Sequence, residues 1–492
     1  MALQGADLTF LWNGGRIRHP ACTNCIAGSH RATRKEIMSK HKEEEEVELI
    51  QAVSGAPYQK TIDEPSGVEE VAALAEIAEK KARKAKKLEK AEAKKLEKEE
   101  KKAKKAKKSK KSKHDEGSEP ERPAQFPPKL FEPLTLRSVT FRNRIWLPPM
   151  DTYSVIARDG KPTPFHYQHY VSRAMGGFGL IICESTAVAP EGRISPNDVG
   201  LWNDDQTAAW RWIVDDIKKA GAIAGVQLNH GGRKASSGDF TVGHINDTVP
   251  QNEGGWQTLA PSAIPFGHYA TPDEMTTDQI HNVVDQFRAA ARRALNAGFQ
   301  MVEIHAAHGY LLSEFLDALS NHRTDEYGGS FGNRIRLLLE VVDAVREVWP
   351  DDLPMFVRVS ATDWSVENGA WDLKQTIALA KALKTHGVDL VDVSTGGIIS
   401  GVTIPAAPNY QVPFSDAVHH QTGMPTTTVG LITDAKQAEL ILEDDKASAI
   451  EVGRAALRDP YWPLRAAYEL GVDKHDAPYQ PQYVRGAFGT KR

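Results

Sequence analysis

Residues 300–316 read QMVEIHAAHGYLLSEFL, and this stretch contains one complete unit of the predicted fold. Met301, Val302 and Ile304 form a short apolar run, as a buried parallel strand requires. Two histidines and a tyrosine follow directly, and after them comes a stretch with the apolar spacing of a helix. A strand, a polar end and a helix in this order are typical of βα units. The two imidazoles can bind a metal ion, transfer protons, hold a small anion or simply pack.

The same unit recurs along the C-terminal part of the chain. Eight short apolar runs alternate with helical stretches, of which 278–298 and 373–387 are the clearest. The runs are RIWLPP (144–149), FGLIICEST (178–186), AIAGVQLNH (222–230), QMVEIHAA (300–307), MFVRVSA (355–361), VDLVDVSTG (388–396), PTTTVG (425–430) and ASAIEVGR (447–454). This alternation predicts an α/β fold, a (β/α)8 TIM barrel, with a doubly wound sheet as the alternative. Segment 231–273, rich in Gly, Asn and Pro, is predicted to be an insertion at the catalytic face.

The N-terminal part of the chain has a different composition. Between Lys80 and Lys113, 19 Lys or Arg residues against five Glu give a local charge of +14, so a formal charge of −4 leaves −18 for the remainder. We divide the chain into a disordered extension (1–67), a Lys/Ala/Glu-rich segment (68–113), a Pro-rich linker (114–127) and the barrel (128–492). The lysine-rich arm has too few large apolar residues for a buried stripe, which predicts a solvated helix or disorder. It lacks aromatic residues for stacking on bases, so nucleic-acid binding is not favoured.

Cysteine usage and hydropathy exclude several classes of protein. The chain has three cysteines, too few for a disulfide scaffold or a four-cysteine iron–sulfur site. Cys22 and Cys25 stand alone in CTNC, so zinc binding there is not favoured. No apolar run of about 18 residues occurs, so no membrane span is predicted, and the N-terminus lacks the long apolar core of a secretory signal. The predicted location is the cytoplasm, with nuclear or organellar targeting by the arm as the alternative.

Polar side chains stand at the carboxyl ends of the predicted strands, where a TIM barrel has its active site. They include Asp151 and Tyr153 after the first strand, Glu184 and Ser185 after the second, Gln227 and His230 after the third, His305, His308 and Tyr310 after the fourth, and Arg358 after the fifth. The seventh strand ends at Gly430 and the eighth at Gly453–Arg454. Glycine backbone amides together with a guanidinium suit a phosphate group, which barrels often bind at this place.

The two histidines of the opening stretch have more than one possible role. A catalytic zinc ion needs at least three ligands, and no HExxH motif or cluster of Asp and Cys accompanies His305 and His308. Packing of both imidazoles is the second alternative. A pair of hydrogen-bond donors aimed at a substrate oxygen, with Tyr310 beside it as an acid, fits the pattern better. No metal site is therefore predicted.

Residues 128–492 resemble the old yellow enzymes, which are FMN-dependent ene-reductases, and resemble most their bacterial branch that includes the xenobiotic reductases. The matching stretches are KLFEPLTLRSVTFRNRI, TPFHYQHYVSRA, GLIICESTAV, VQLNHGGRKA, APSAIPFG, EIHAAHGYLLSEFLDALSNHRTDEYGGS, FVRVSATDW, VGLITD and VGRAALRDP. They follow one another over the whole barrel, so the resemblance is specific. Residues 1–127 lie outside it.

The resemblance implies FMN as the cofactor and assigns a set of contacts. The expected FMN contacts are Pro148, Pro149, Met150, Asp151, Ser185, Gln227, Arg358, Gly430, Gly453 and Arg454. His305 and His308 are expected to bind the carbonyl oxygen of the substrate, Tyr310 to donate a proton, and Tyr153 to line the substrate pocket. Arg485, in PQYVRG, is expected to reach the site of a neighbouring subunit, which implies a homodimer or homotetramer.

The implied reaction is the reduction of the C=C bond of an α,β-unsaturated carbonyl compound by NADPH or NADH. The hydride comes from FMN N5 and the proton from Tyr310. No GxGxxG motif follows a predicted strand, so the nicotinamide is expected to visit the flavin only transiently. Asp151 departs from the family pattern, in which a cysteine usually follows the Pro-Met pair. We expect an ionised carboxylate there, which lowers the reduction potential of the flavin.

Two other functions remain open at this point. One is a barrel that keeps FMN and catalyses an isomerisation or a desaturation in a biosynthetic pathway, with Asp151 as the acid or base. The other is a scaffold that binds nucleic acid or an acidic partner through the lysine-rich arm. Tyr310, the two histidines and Arg454 are all present, which argues against the scaffold.

Overall fold

Twelve strands follow one another along residues 127–489, the part of the chain that the computed structural model describes. They are β1 (Leu134–Leu136), β2 (Val139–Phe141), β3 (Ile145–Leu147), β4 (Leu180–Ala187), β5 (Ile223–Asn229), β6 (Leu259–Ala260), β7 (Asp273–Glu274), β8 (Met301–Ala306), β9 (Met355–Ser360), β10 (Leu390–Ser394), β11 (Thr426–Thr428) and β12 (Ala449–Glu451). Eight of them pair in parallel and close on themselves in the order β10-β11-β12-β3-β4-β5-β8-β9. The predicted TIM barrel is confirmed, and no barrel strand extends more than one residue beyond its predicted run.

Helices alternate with these strands. They are α1 (Pro164–Met175), α2 (Asp204–Lys219), α3 (Thr277–Ala297), α4 (Leu311–Leu316), α5 (Phe331–Arg334), α6 (Arg336–Arg346), α7 (Leu373–Thr385), α8 (Val412–Thr422), α9 (Ala435–Glu443), α10 (Arg454–Arg458) and α11 (Trp462–Glu469). The helices predicted at 278–298 and 373–387 are α3 and α7. Thr276 and Gln279 cap the start of α3 reciprocally, and Gly298 ends it in the left-handed conformation with φ of 95°.

The predicted insertion after β5 lies over the carboxyl ends of other strands. It contains β6, which pairs with β7 in a small separate sheet. Arg233 donates a hydrogen bond of 2.6 Å to the carbonyl of Ile398, in the loop after β10. Lys234 donates one of 2.7 Å to the carbonyl of His308, in the loop after β8. These contacts place the insertion on the catalytic face of the barrel.

The opposite end of the barrel interior is apolar. β1 and β2 form an antiparallel hairpin, and the ring of Phe141 lies 4.7 Å from that of Trp146, measured between centroids. Trp146 stacks on Phe356 at 5.7 Å. We call the lower layer the buried group that consists of Phe141, Trp146, Leu180, Ile182, Met301, Phe356, Leu390 and Ala449. Removal of these side chains from water stabilises the fold.

The next inward positions along the strands are polar. Side chains alternate across a strand, so residues two positions beyond the lower layer point into the barrel again. We call the charged layer the five buried residues at this level, which are Gln227, Glu303, Arg358, Asp392 and Glu451. Arg358 is the one cation of this layer, and three of its members are acids. The charged layer therefore separates the lower layer from the catalytic end.

The N-terminal arm lies outside the described residues, and so do Cys22 and Cys25. The predicted divisions at 1–67, 68–113 and 114–127 therefore stay predictions. Cys183 is buried in β4 as a free thiol. Between residues 127 and 489, no helix combines the length and the apolar character needed to cross a membrane.

Candidate active site

A cavity of about 320 Å³ opens at the carboxyl ends of the barrel strands. Seven of the predicted cofactor residues line it, namely Pro148, Pro149, Met150, Arg358, Gly430, Gly453 and Arg454. Ser394, Tyr410, Gln411 and Glu451 contribute to the same wall. The barrel thus brings together residues from its first, fifth, sixth, seventh and eighth strands, at the end where TIM barrels have their active sites.

Gly430 keeps one wall of this cavity open. Its φ of 121° is a conformation that residues with a Cβ rarely adopt. A Cβ at this position would lie 3.0 Å from Tyr410 Cε1 and 3.2 Å from Gln411 Nε2, which is tighter than ordinary contact. Gly453 and Arg454 stand at the start of α10, where backbone N–H groups have no intrahelical partner. Backbone donors and an exposed guanidinium are therefore available at this end of the cavity, as a phosphate group requires.

The charged layer supplies polar atoms to the floor of the cavity. Both carboxyl oxygens of Glu451 are buried and have no hydrogen-bond partner within residues 127–489. Arg358 lies beside it, with Nη2 3.5 Å from Glu451 Oε2. A flat heterocycle with donors and acceptors along its edge suits such groups, and the glycine wall suits a phosphate. The residues present therefore fit FMN.

His305 and His308 lie side by side at the end of β8. His305 Nε2 is 3.4 Å from His308 Nδ1. His305 Nδ1 accepts the backbone N–H of Ala307 at 3.2 Å, which places the proton of a neutral ring on Nε2. His308 Nε2 lies 2.7 Å from Ser394 Oγ, whose hydroxyl is also 3.3 Å from Gln411 Oε1; when the hydroxyl donates to the shorter contact, the ring proton of His308 is on Nδ1. With these tautomers the two adjacent nitrogens, 3.4 Å apart, are both donors and are available to one ligand oxygen.

Both imidazoles are neutral at neutral pH. Burial holds the pKa of His305 well below 6.5, and the neighbouring His308, Arg358 and Lys234 lower it further. Burial also lowers the pKa of His308, and the charges of Arg358 and Lys234 lower it further. The pair therefore offers neutral hydrogen-bond donors to a ligand and carries no positive charge.

Tyr310 adjoins the histidine pair as the N-cap residue of α4, with its ring centroid 5.1 Å from that of His305. Burial raises the pKa of its hydroxyl well above 10, and the charge of Asp151 adds to this shift. The hydroxyl therefore keeps its proton at neutral pH. Lys234 Nζ lies 5.0 Å from the centroid of the Tyr310 ring, and burial lowers its pKa to about 8. Lys234 was not predicted as a site residue, since only its place in VQLNHGGRKA marks it.

Asp151 lies on the loop after β3 and accepts a backbone hydrogen bond from Ser185. Burial raises its pKa to about 7, and the charge of Glu184 adds to this effect, while the Ser185 bond and Arg358 oppose it. The expectation of a fully ionised Asp151 at neutral pH is therefore corrected, since both protonation states are populated there. The physical reason is a second acid, Glu184, which the barrel places beside it.

Glu184 is a fixed negative charge behind Asp151. Its carboxylate accepts hydrogen bonds from the backbone N–H of Thr152 at 2.6 Å and from the hydroxyl of Tyr170 at 3.0 Å. His166 Nε2 lies 3.2 Å from it. Burial by itself raises the pKa of Glu184, but His166 and Thr152 outweigh this effect and hold it below its ordinary value.

The acidic side of the site also contains Tyr153 and Asp198. Tyr153 adopts a φ of 51°, and the charge of Asp151 is the largest cause that raises the pKa of its hydroxyl. Asp198 Oδ2 accepts the backbone N–H groups of Ile194 and Ser195 at 2.7 and 3.1 Å. Asp198 Oδ1 is buried without a partner in the described part of the chain. Asp198 was not predicted as a site residue, because no local pattern in the sequence distinguishes it.

Ser185 and Gln227, also predicted as FMN contacts, are not among the residues that line the cavity. Asn229 Nδ2 donates to Ser185 Oγ at 2.8 Å, and Gln227 Nε2 donates to Glu303 at 2.8 Å. Both side chains are buried. They therefore support the floor of the site in the structure, and their contact with a cofactor stays a prediction.

Three acids of the charged layer form a cluster of the kind that can hold a metal ion. Oxygens of Glu303, Asp392 and Glu451 lie within 4.8 Å of one another. Arg358 already lies between two of them, with Nε 3.0 Å from Asp392 Oδ2 and Nη2 3.5 Å from Glu451 Oε2. We therefore interpret the cluster as an ion-pair network around Arg358.

Arg485 is an exposed residue of the short 3-10 helix Pro481–Gly486. It does not line the cavity of its own chain. Its predicted contact with the site of a neighbouring subunit is not tested by a single chain.

Comparison with known proteins agrees with this geometry. The family model described as the NADH:flavin oxidoreductase / NADH oxidase family matches residues 129–473. The chain belongs to this family. It is 47% identical over 358 residues to the NADPH dehydrogenase of Geobacillus thermodenitrificans, and this match covers 73% of this chain and 98% of the relative. It is 45% identical over 360 residues to the NADPH dehydrogenase of Bacillus subtilis, and this match covers 73% of this chain and 99% of the relative.

Solved structures of the same kind share the barrel. Morphinone reductase in complex with tetrahydroNAD is 30% identical with a TM-score of 0.58, and the match covers 70% of this chain and 92% of that one. The old yellow enzyme homologue from Zymomonas mobilis is also 30% identical with a TM-score of 0.58, and that match covers 73% and 99%. The resemblance to the old yellow enzymes is thus confirmed. As a member of the NADH:flavin oxidoreductase family, the chain is an FMN-dependent oxidoreductase that uses a nicotinamide as reductant.

Proposed function

We propose that this chain reduces the activated C=C bond of α,β-unsaturated carbonyl compounds with electrons from NADPH or NADH. The observation that carries the proposal is that His305 Nε2 and His308 Nδ1 lie 3.4 Å apart beside Tyr310, whose ring centroid is 5.1 Å from that of His305. The relatives named NADPH dehydrogenases favour NADPH as the reductant. A solved structure of morphinone reductase in complex with tetrahydroNAD supports a nicotinamide as the reductant.

FMN is proposed to bind in the cavity at the carboxyl ends of the strands. Gly430, Gly453 and Arg454 would hold its phosphate, since backbone amides and a guanidinium are available there. Pro148, Pro149, Met150 and Arg358 would hold its ring, with Asp151, Ser185 and Gln227 as further predicted contacts. When bound, FMN supplies the hydride chemistry, and the protein binds, orients and polarises.

The substrate carbonyl is proposed to accept hydrogen bonds from His305 Nε2 and His308 Nδ1. These donors stabilise the negative charge that develops on the oxygen when the β-carbon is reduced. Tyr310 then gives its proton to the α-carbon, and Lys234 lies 5.0 Å from its ring to compensate the phenolate charge. Tyr153 would line the pocket on the opposite, acidic side.

Tyr310→Phe tests this assignment through two half-reactions followed separately by stopped-flow absorbance. Reduction of the flavin by NADPH should proceed as in the parent, because that step needs no proton from Tyr310. Reoxidation by an enone should slow by about 10²–10⁴-fold, the usual contribution of a general acid. Tyr167→Phe, on α1, is the matched control and should change neither step. Equal reoxidation rates in Tyr310→Phe and the parent would exclude Tyr310 as the proton donor.

Isomerisation is the second candidate, because the pKa of about 7 at Asp151 is that of an efficient acid–base group at neutral pH. Holoenzyme without NAD(P)H can be incubated with a β,γ-unsaturated ketone in deuterated water. Deuterium at the γ-carbon and a shifted double bond, both lost in Asp151→Asn, would support this reaction. If the enzyme reduces an enone with NADPH but leaves the β,γ-unsaturated ketone unchanged without NADPH, isomerisation is excluded and reduction remains as the function.

Arg485 is proposed to enter the site of a second copy in a homodimer or homotetramer. Its exposure on Pro481–Gly486, next to the exposed Tyr483 and Phe488, supports this placement. Mixing Tyr310→Phe with Arg485→Ala under conditions of subunit exchange creates one intact site per mixed dimer. Activity above the sum of the two variants is expected, whereas purely additive activity would oppose an exchange of Arg485 between subunits.

The N-terminal arm is proposed to be dispensable for the reaction. Deletion of residues 1–125 should leave enone reduction intact, which a comparison of steady-state rates with the full chain would check. Any binding of nucleic acid by the full chain should be weak, salt-dependent and absent after the deletion. The cytoplasmic location stays a prediction.

A further inference from the structure

Glu451 is a buried acid that the proposed reaction does not yet use. It is 1% exposed, ends β12, and lines the cavity together with Arg358 and Gly453. Both of its carboxyl oxygens lack a hydrogen-bond partner among residues 127–489. A buried polar group that stays unpaired destabilises the folded protein. A partner from inside the cavity would remove this destabilisation.

The charges around Glu451 do not balance if every acid is ionised. The charged layer has three carboxyl groups, on Glu303, Asp392 and Glu451, and the single guanidinium of Arg358. Asp392 has the better ion pair, since its Oδ2 lies 3.0 Å from Arg358 Nε and its Oδ1 accepts the hydroxyl of Thr427 at 2.7 Å. One acid therefore neutralises Arg358, and two acids are left over in a site shielded from water.

Burial and the excess of acids over cations favour the protonated form of the two remaining acids. Burial raises the pKa of Glu451 well above its ordinary value, and the negative charge of Asp392 adds to this effect. Burial and Asp392 raise the pKa of Glu303 in the same way. Glu303 still has a partner, because its carboxyl accepts from Gln227 at 2.8 Å. Glu451 is thus a carboxylic acid whose hydroxyl has no acceptor in the described protein and borders the cavity.

We propose that Glu451 is a further cofactor-binding residue, a neutral carboxylic acid that donates a hydrogen bond to the edge of the flavin ring from inside the barrel. This inference rests on the proposed placement of FMN in the cavity. Flavin rings carry carbonyl oxygens and ring nitrogens that accept such a bond, and reduction adds negative charge to that edge. A donor there binds the reduced cofactor more tightly than the oxidised one, and this difference raises the reduction potential.

Two substitutions separate a neutral donor from a charged group. Glu451→Leu removes the donor, and Glu451→Gln replaces the acid by an amide of the same shape that still donates. With holoenzyme in a dye-referenced spectroscopic titration, Glu451→Leu should weaken the binding of reduced FMN relative to oxidised FMN about tenfold, which corresponds to a potential lower by about 30 mV. Glu451→Gln should stay at the parent value. Thr428→Val is the control, because Thr428 Oγ1 is also buried and unpaired in the described residues but does not line the cavity.

Two results would overturn the inference. A higher potential in Glu451→Gln would mean that the parent residue is an ionised carboxylate. An unchanged potential in Glu451→Leu would mean that Glu451 does not touch the flavin. A purified parent protein that binds no FMN would instead refute the proposed function, so the two failures are distinguishable.

Infrared difference spectroscopy of flavin reduction tests the same bond without relying on the leucine variant. The carbonyl stretch of a protonated carboxylic acid is separate from the bands of carboxylates and amides, and it should shift when the flavin becomes reduced. We expect this band in the parent and in Thr428→Val, and we expect it to vanish in Glu451→Gln. Its persistence in Glu451→Gln would assign the signal to another acid and refute the proposal.

Discussion

The two ends of the barrel interior differ in what fills them. The lower layer is built from aromatic and aliphatic side chains, with Trp146 between Phe141 and Phe356 at centroid distances of 4.7 and 5.7 Å. One level higher, the charged layer holds one guanidinium and three carboxyl groups, and Arg358 pairs with Asp392 at 3.0 Å. Both layers are buried, and on four strands the charged layer follows the lower layer at the next inward position.

This difference separates stability from function within one barrel. Apolar burial stabilises the fold by roughly 25 cal/mol per Å² of buried surface. Buried charges lose their hydration, and ion pairing only partly restores that loss. A layer with more acids than cations is therefore not explained by stability. Two of its members, Arg358 and Glu451, line the cavity in which the cofactor is proposed to bind.

Trp146→Ala should show the largest effect and test the stabilising role of the lower layer. Removal of a buried aromatic side chain from a packed core costs about 3–5 kcal/mol. Thermal unfolding and chemical denaturation of the apoprotein should both shift strongly. Trp212→Ala is the matched control, because Trp212 lies on α2 and is 44% exposed. Similar shifts in the two variants would show that the lower layer does not dominate stability.

Arg358→Met should have a smaller effect on stability and test the charge balance of the charged layer. The change leaves Asp392 and Glu451 without their cation, and breaking a buried ion pair usually costs about 3–5 kcal/mol. Protonation of the acids relieves part of this cost, so we expect about 2–3 kcal/mol by chemical denaturation. The double variant Arg358→Met/Asp392→Asn removes both charges and should recover most of the loss. Failure of the second change to restore stability would contradict the ion-pair account.

Much of the fold was predictable because each barrel strand is a local pattern. Short apolar runs end in polar or turn residues, and no barrel strand extends more than one residue beyond its run, although several strands are two or three residues shorter than the run at one end. The hairpin of β1 and β2 was not predicted. Its sequence LTLRSVTF lacks the Asn-Gly or Asp-Gly signal of a tight turn, and Arg137 takes the left-handed conformation there with φ of 52°.

The candidate site was predictable only where strand ends marked it. Polar residues after an apolar run identified the histidine pair and Tyr310, but Lys234, Asp198 and Glu451 were missed. Glu451 stands in ASAIEVGR, two positions before the predicted Gly453. Its importance arises from Arg358, which comes from a different strand, and periodicity does not tell which distant charges meet. The pKa of Asp151 depends on Glu184 for the same reason.

Asp363→Asn extends the comparison to an acid pair near the catalytic end. The Asp363 side chain accepts the backbone N–H of Trp371 at 2.6 Å, and burial together with a hydrogen bond to Asp317 raises its pKa to about 9. The folded protein therefore keeps a proton that the unfolded chain releases above about pH 4, and stability is lost as the pH rises from there towards 9. The amide of asparagine can donate the hydrogen bond to Asp317, and it does not titrate.

We expect Asp363→Asn to have the same free energy of unfolding as the parent near pH 4 and a free energy of unfolding about 1–2 kcal/mol higher at pH 8–9. This is less than the whole pKa shift would give, because the loop relaxes. Chemical denaturation across this pH range measures the difference. Asp351→Asn is the control, because the Asp351 side chain is 96% exposed. A constant difference between variant and parent at all pH values would mean that Asp363 does not retain its proton.

Asp151→Asn should have the smallest effect and tests whether the acidic side of the site tunes the flavin. Below its pKa of about 7 Asp151 is neutral, and above it the carboxylate repels a reduced, anionic flavin and lowers the reduction potential. At ~4 Å and an effective dielectric near 20 this repulsion is ~4 kcal/mol, an upper bound of ~85 mV for two electrons. The side chain is partly exposed, so screening should reduce the effect to about 20–30 mV.

Asp151→Asn should therefore raise the midpoint potential by that amount at pH 8.5 and leave it unchanged at pH 5.5, in a titration against a reference dye. An equal rise at both pH values would mean that Asp151 stays ionised throughout, and no rise at either would mean that it points away from the flavin.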